Sequence, residues 1–401
     1  MNIIEIQLEV SKYLSRSELA VCVLVSKEWF TSFIVMVYRV VHLRKGQRGC
    51  QPQDLSQLSA TLYRYRSHIE SLTLGLGRTQ AMELLTLTDA WLQSEDEGTM
   101  NLEFSTKATI SSTSPAVATT TTTASGTIPA KFLFPKVETL VLNVYCPMNE
   151  QLQWVAHCPH VQSLHLVGVK VPRPPSNSPL LRAAIPELDL STLRRCSNNL
   201  TQLSFSGGFL EDVHLAQMLE QCPHLTDVSL SGSQLGTRTF EALKPLFPKL
   251  LSLNLEGYRD VEPRKLQNIW NSCPALLSFA CPALEVETLF GNIFFFPQTN
   301  TVNPASTWAC TGLKRLSIVR IEWSRIQEPN TRVLEQWSRL KELEFLQLTH
   351  MRGIGRAQAV QDSFPVKLCW TSNRFNAKPP GCMLEVWPKL KSYQSSGWEA
   401  Y

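Results

Sequence analysis

No stretch of this chain is apolar for long enough to cross a bilayer. Its longest apolar runs, around Phe33 to Val41 and from Ile293 to Pro297, fall well short of the ~18 residues a span needs. A secretory leader is missing too, because Glu5 and Glu9 interrupt the place where an apolar h-region would lie. Charge of one sign is not in excess. Over 401 residues, 38 basic side chains face 34 acidic ones for a net of +4, which gives no support for nucleic-acid or membrane binding. No CxxC pair occurs, and the 11 cysteines are odd in number, which disfavours a disulfide framework. His157, Cys158 and His160, or Cys222 with His224, fall short of the four converging ligands of a zinc site. HExxH, P-loop and paired-acid motifs are absent. Gly75 with Gly77 and Gly353 with Gly355 lack the third glycine of a dinucleotide site, and Gly232 to Gly236 carries its serine one place early for a nucleophile elbow. The Asn199-Leu200-Thr201 sequon carries no assigned function. These absences point to a soluble, cytoplasmic and/or nuclear protein that binds and does not catalyse, with no metal and no cofactor.

What the chain has is a phrase that keeps returning: an apolar residue, two free places, an apolar residue, one free place, an apolar residue. It reads Val161-Leu164-Leu166, Leu200-Leu203-Phe205, Leu225-Val228-Leu230, Leu250-Leu253-Leu255 and Leu276-Phe279-Cys281. From Leu200 the steps are 25, 25 and 26 residues. With looser spacing it extends to Ile69-Leu72-Leu74 and Val137-Leu140-Leu142 before this block, and to Leu313-Leu316-Ile318, Leu343-Leu346-Leu348 and a degraded Leu390 with Tyr393 after it. About ten units result, within the 20 to 29 residues of a leucine-rich repeat. The implied fold is an α/β solenoid of parallel strands and helices, in which each unit buries only its neighbours.

Most copies are preceded by a half-buried residue and a proline: Phe134-Pro135, Cys158-Pro159, Cys222-Pro223, Phe247-Pro248, Cys273-Pro274 and Trp387-Pro388. Proline ends a helix and pushes the residue before it into extended geometry. Each unit therefore reads helix, proline turn, strand. The helices show at Leu215, Met218 and Leu219, at Phe240, Leu243 and Leu246, and at Leu266, Ile269 and Trp270, each set on one face. Cys158, Cys196, Cys222, Cys273 and Cys310 share one place just ahead of the phrase, so burial in the repeat accounts for all of them.

Residues 1–43 lack the phrase. Ile3, Ile6, Val10 and Leu14 form one helical stripe, Ser15 to Glu18 has the form of a capping box, and Leu19 to Val25 is apolar nearly all round. So short a segment cannot bury such a helix alone, and something must cover it. The run Ile3-Ile4-Glu5-Ile6, Tyr13-Leu14, Leu19, Val23-Leu24-Val25-Ser26-Lys27-Glu28-Trp29 and Val37-Tyr38-Arg39-Val40 resembles an F-box. An F-box ahead of leucine-rich repeats is the architecture of substrate receptors of Skp-cullin-F-box ubiquitin ligases. The resemblance implies that Glu5, Ile6, Leu8, Val10, Leu14, Leu19, Val23, Leu24 and Trp29 meet the Skp-type adaptor or form the segment's own small core. Two places depart from the family: Asn2 and Ile3 stand for Leu-Pro, which weakens docking or sets the chain's start upstream, and Ser26 stands for Cys. The alternative to a receptor is a repeat scaffold with no role in ubiquitination.

The domains expected are an F-box-like segment 1–43, a linker and lead-in helix 44–64, and repeats over 65–401 with a Ser/Thr-rich insertion at 105–130 too polar to order itself. That insertion widens the step from Ile69 to Val137 to 68 residues, with or without a degenerate repeat near Trp91. Proline-rich 171–186 and segment 286–306 are further insertions. In the phrase the first, fourth and sixth places point inward, so the alternate places face out. They put His165, Gln202, Asp227, Asn254, Glu256, Arg315, Phe345 and Gln347 on a face whose outward places are small, polar and nearly uncharged in the middle. About ten strands at roughly 4.8 Å give a track of about 45 Å, suited to a peptide or protein surface.

Overall fold

In the computed structural model the described residues are 3–11, 13–46, 51, 54–96, 133–144, 146–168, 190–206, 210–231, 236–256, 263–282, 284–285, 308–322, 338–352, 374–377, 387–395 and 398–399. The insertions expected at 105–130, 171–186 and 286–306 lie outside them, as do Asn2 and the side chains of Glu5 and Leu8. The chain divides into two compact units, Met1–Glu138 with Ala156–His160 and Thr139–Val155 with Val161–Tyr401.

The first unit opens with three helices, α1 (Ile3–Ser11), α2 (Arg16–Cys22) and α3 (Lys27–Arg39). The capping box forms as the sequence predicts: the Ser15 hydroxyl accepts from the Glu18 N–H at 3.4 Å, and the Ser15 N–H donates to Glu18 Oε2 at 2.6 Å. Ser26 caps α3 in the same way, accepting from the Trp29 N–H at 3.2 Å. Phe33 and Ile34 are the buried side chains of α3. At the β-branched pair Val40-Val41 the helix passes directly into a strand, β1 (Val40–Arg44), where the sequence reading has the F-box-like helical segment running to residue 43 and then a linker. Strand β1 pairs in parallel with β2 (Ser71–Gly75), setting Val41 on Leu72 and Leu43 on Leu74, all buried. Between them α4 (Leu55–Tyr65) buries Leu55 and Leu62 and packs against α5 (Arg78–Asp96). Trp91 belongs to α5, so it is part of the helix that follows β2 and not a further repeat strand.

The second unit alternates strands and helices: β3 (Thr139–Asn143), α6 (Met148–Ala156), β4 (Ser163–Val167), α7 (Ser191–Cys196), β5 (Gln202–Ser206), α8 (Asp212–Gln221), β6 (Asp227–Ser229), α9 (Thr237–Leu243), β7 (Ser252–Asn254), α10 (Pro263–Ser272), β8 (Ser278–Cys281), β9 (Leu284–Glu285), β10 (Arg315–Glu322), β11 (Phe345–Arg352), β12 (Arg374–Ala377), β13 (Ser392–Ser395) and β14 (Trp398–Glu399). The main path β3-β4-β5-β6-β7-β8-β10-β11-β13 is parallel throughout, and β12 joins its end antiparallel to β13. Short β9 and β14 extend the pairing beside β10 and β11.

Register stacks the phrase on itself. Leu164, Leu203, Val228, Leu253 and Phe279 lie side by side from β4 to β8, Leu316 and Leu346 continue the row, and none is more than 2 % exposed. Each such side chain contributes about 1.5–3 kcal/mol by leaving water.

The join between units is a repeated turn. The carbonyl of the buried residue accepts from the N–H of the phrase's first apolar residue, Cys222 from Leu225 at 3.4 Å and Cys273 from Leu276 at 3.3 Å. Proline therefore occupies the second place of a β-turn, whose φ it fixes. The same turn closes at Cys310 to Leu313 and Leu340 to Leu343, both 3.2 Å, where no proline stands, so proline favours the turn without being needed for it. The residue after that first apolar place then offers its carbonyl to two N–H groups of the next unit: Leu251 accepts from Leu277 at 2.8 Å and from Ser278 at 3.0 Å. The second unit is a leucine-rich-repeat solenoid of the α/β class.

Candidate docking surfaces

The helices α1 to α3 turn apolar side chains outward. Among the described side chains of α1, Gln7 and Ser11 are buried, at 8 % and 5 % exposure, whereas Ile6 and Val10 of the predicted stripe are 46 % and 47 % exposed. Leu14, the stripe's last member, is half-buried and follows the end of α1. Beyond α1, Tyr13 is 86 % exposed, Val21 64 %, Leu24 82 % and Val25 63 %. Trp29 rests its ring on buried Phe33 with centroids 5.3 Å apart and keeps 37 % of its surface open, next to exposed Phe30. Leu19 is buried, while Leu14 and Val23 are half-buried. The candidate residues thus divide: Leu19 serves the small core, and Ile6, Val10, Leu24 and Trp29 keep much of their apolar surface open. Tyr13, Val21, Val25 and Phe30 are exposed too. The signal for Val21 and Val25 was the all-round apolar character of Leu19 to Val25.

The open face of the second unit is a polar lattice. Register aligns Gln202, Asp227, Ser252, Ser278, Arg315 and Phe345 as the first residues of six adjacent strands. A second row runs His165, Ser204, Ser229, Asn254, Ala280, Ser317 and Gln347. Serines tie these rows together. Ser163, buried, donates to Gln202 Oε1 at 2.9 Å and lies 3.0 Å from His165 Nε2. Burial holds the His165 imidazole below its ordinary pKa, so it is neutral at physiological pH. Ser317 donates to Glu256 Oε1 at 2.7 Å and reaches Gln347 Oε1 at 3.4 Å. Ala280, in register between Asn254 and Ser317, has no side chain long enough to block that reach. Asn254 accepts from the Glu256 N–H at 2.8 Å, and Asp227 accepts from the Thr226 hydroxyl at 2.7 Å. The structure therefore gathers Asn254, Glu256 and Gln347 around Ser317, brings His165 and Gln202 together through Ser163, and sets Arg315 beside Phe345. Ser163 and Ser317 are the hubs, and their identity was legible only once the strands were in register. Among the described residues no group of three or more His, Cys, Asp or Glu gathers as a metal site would, and no helix is long and apolar enough to cross a membrane.

No family model matches this chain, and no curated protein matches it. Among solved structures it is similar to a TLR13–ssRNA13 complex, with 19% identity and a TM-score of 0.29 over 55% of this chain and 33% of that one. It is also similar to an internalin, InlF, from Listeria monocytogenes str. 4b F2365, with 15% identity and a TM-score of 0.27 over 55% of this chain and 69% of that one. The chain spans about a third of the length of the first of these. The repeat fold itself rests on this chain's own strand register and recurring turn.

Proposed function

We propose that this chain is the substrate-recognition subunit of an SCF-type cullin-RING ubiquitin ligase. In this reading α1 to α3 dock the Skp-type adaptor, the repeats hold a protein substrate, and the chain itself performs no chemical step. The observation that carries it is the number of large apolar side chains that α1 to α3 and their links leave exposed, Ile6, Val10, Val21, Leu24, Val25 and Trp29 among them. Exposed apolar clusters of this kind mark interaction sites, and here the cluster occupies the residues that resemble an F-box. The solenoid supplies the other half, a broad polar face with no deep chemistry, as a binding module requires.

Co-purification from native cells tests the reading, with the Skp-type adaptor and the cullin scored. The unaltered chain is expected to bring down both, and Leu24→Ser with Val25→Ser to lose both while the repeats stay folded. Absence of adaptor from the unaltered chain's complexes would replace the receptor with a repeat scaffold that has no ubiquitin role.

A further inference from the structure

We infer that the strand starts of β7 to β11 form a docking strip for an acidic peptide segment bearing neighbouring aliphatic residues; this deepens the receptor reading, on which it rests, by naming a class of substrate. The place just before each strand repeats along the solenoid and holds Gln162, Thr201, Thr226, Leu251, Leu277, Lys314, Glu344 and Lys391 in turn. Polar residues fill it on both sides of a single pair of leucines. Leu251 and Leu277 are 38 % and 37 % exposed, and they are the exposed large apolar side chains among the described residues of the second unit. Every other one lies within residues 6–40.

The fold does not ask for leucine there. Thr226 and Thr201 hold the same place with the same double acceptance by the backbone carbonyl: Thr226 O takes the N–H groups of Leu251 and Ser252 at 2.7 and 3.1 Å, and Leu251 O those of Leu277 and Ser278. Two leucines kept in water where threonine suffices make a sticky pair on a rigid backbone, and little ordering is left to occur when a partner arrives.

Charge gives the strip a direction. The next unit presents exposed Lys314 and Arg315, with half-buried Phe345 beside Arg315 on β11. Glu344 lies within electrostatic reach of both, but its carboxylate is bonded to Lys391 at 2.6 Å. On the other side Asp227, two strands before Ser278, bounds the leucines with negative charge. A peptide that sets aliphatic side chains on Leu251 and Leu277 therefore meets attraction for its carboxylates toward Lys314 and Arg315 of the next unit, and repulsion toward Asp227.

A random dodecapeptide display library, selected on the full chain at low salt, tests this. Enriched peptides are expected to pair aliphatic residues with Asp or Glu. Their affinity should fall about tenfold or more in Leu251→Thr/Leu277→Thr, and likewise in Lys314→Ser/Arg315→Ser. The threonine variant copies a neighbouring unit, so its melting transition should be unchanged, and adaptor capture through α1 to α3 should persist in both. Enriched peptides without that pattern, or peptides that bind both variants as tightly as the parent, would overturn the inference, as would failure of any peptide to enrich. Adaptor capture is scored on the same preparations. Adaptor binding without peptide selection sinks the strip alone, and patterned peptides without adaptor binding sink the receptor reading alone.

Discussion

Gly236 shows what a single residue does in a stacked repeat. A Cβ there would collide with the Asp212 carboxylate, which has come across from the preceding helix to accept from the N–H groups of Arg238 at 3.0 Å and Thr239 at 2.8 Å. Asp212 thus caps α9 from outside it. Burial pushes the Asp212 carboxyl up, but hydrogen bonds from Thr239, Arg238 and Gly236 outweigh it and hold the pKa below the usual carboxylate value. Those bonds are complete above the ordinary range, near 4, and are lost as pH falls through the lower folded value. The stability gap between the parent and Asp212→Asn, read by chemical denaturation, should accordingly narrow as pH drops below about 4. Gly236→Ala should cost about 1–3 kcal/mol through the clash. Further along, Leu253 is 1 % exposed, and Leu253→Ala should cost about 2–5 kcal/mol. From its outward place alone Asn254→Ala reads as nearly neutral, within roughly 0.5 kcal/mol. Its bond from the Glu256 N–H raises the expected cost to about 1 kcal/mol, still well below that of Leu253→Ala.

At the scale of elements, the recurring phrase was legible because period and burial coincide: among the described residues the inward places of the phrase are closed from water. The cysteine column was legible for the same reason. Burial pushes the Cys222, Cys273 and Cys310 thiols up to about 12, and Cys196 up to about 11. These thiols favour the folded chain fully below their ordinary value, near 9, and that stability is lost as pH rises from there toward the folded values. Unfolding midpoints should therefore fall as the solution is taken above about pH 9, and less steeply in Cys222→Ala/Cys273→Ala. Alkylation mapped by peptide should find the column unreactive until the solenoid opens. Three features were not legible. Strand β1 follows α3 without a turn, so no phrase announces it. The cap from Asp212 needs α8 and α9 to meet, bringing together Asp212 and Thr239, which stand 27 residues apart in the chain. In α1 the apolar residues were visible, but only the structure shows that Gln7 and Ser11 are buried while Ile6 and Val10 stay nearly half exposed.

For the molecule as a whole, the two kinds of surface differ in what they ask of a partner. The face of α1 to α3 is apolar and offers burial; the repeat face is polar and offers hydrogen bonds and direction. Damage in one unit of the solenoid passes first to its neighbours, so Leu253→Ala should weaken the repeats before it affects α1 to α3. Hydrogen exchange followed by segment would show this as faster exchange spreading outward from β7. The central claim is that the exposed helical face is where the adaptor binds. It is tested most directly by titrating purified Skp-type adaptor into the full chain and into Leu24→Asp/Trp29→Asp, with circular dichroism confirming that both are folded. The account predicts saturable binding to the full chain and at least about a hundredfold weaker binding to the variant, since buried apolar anchors dominate such interfaces. Equal affinity for the two, or no binding to either, would contradict it.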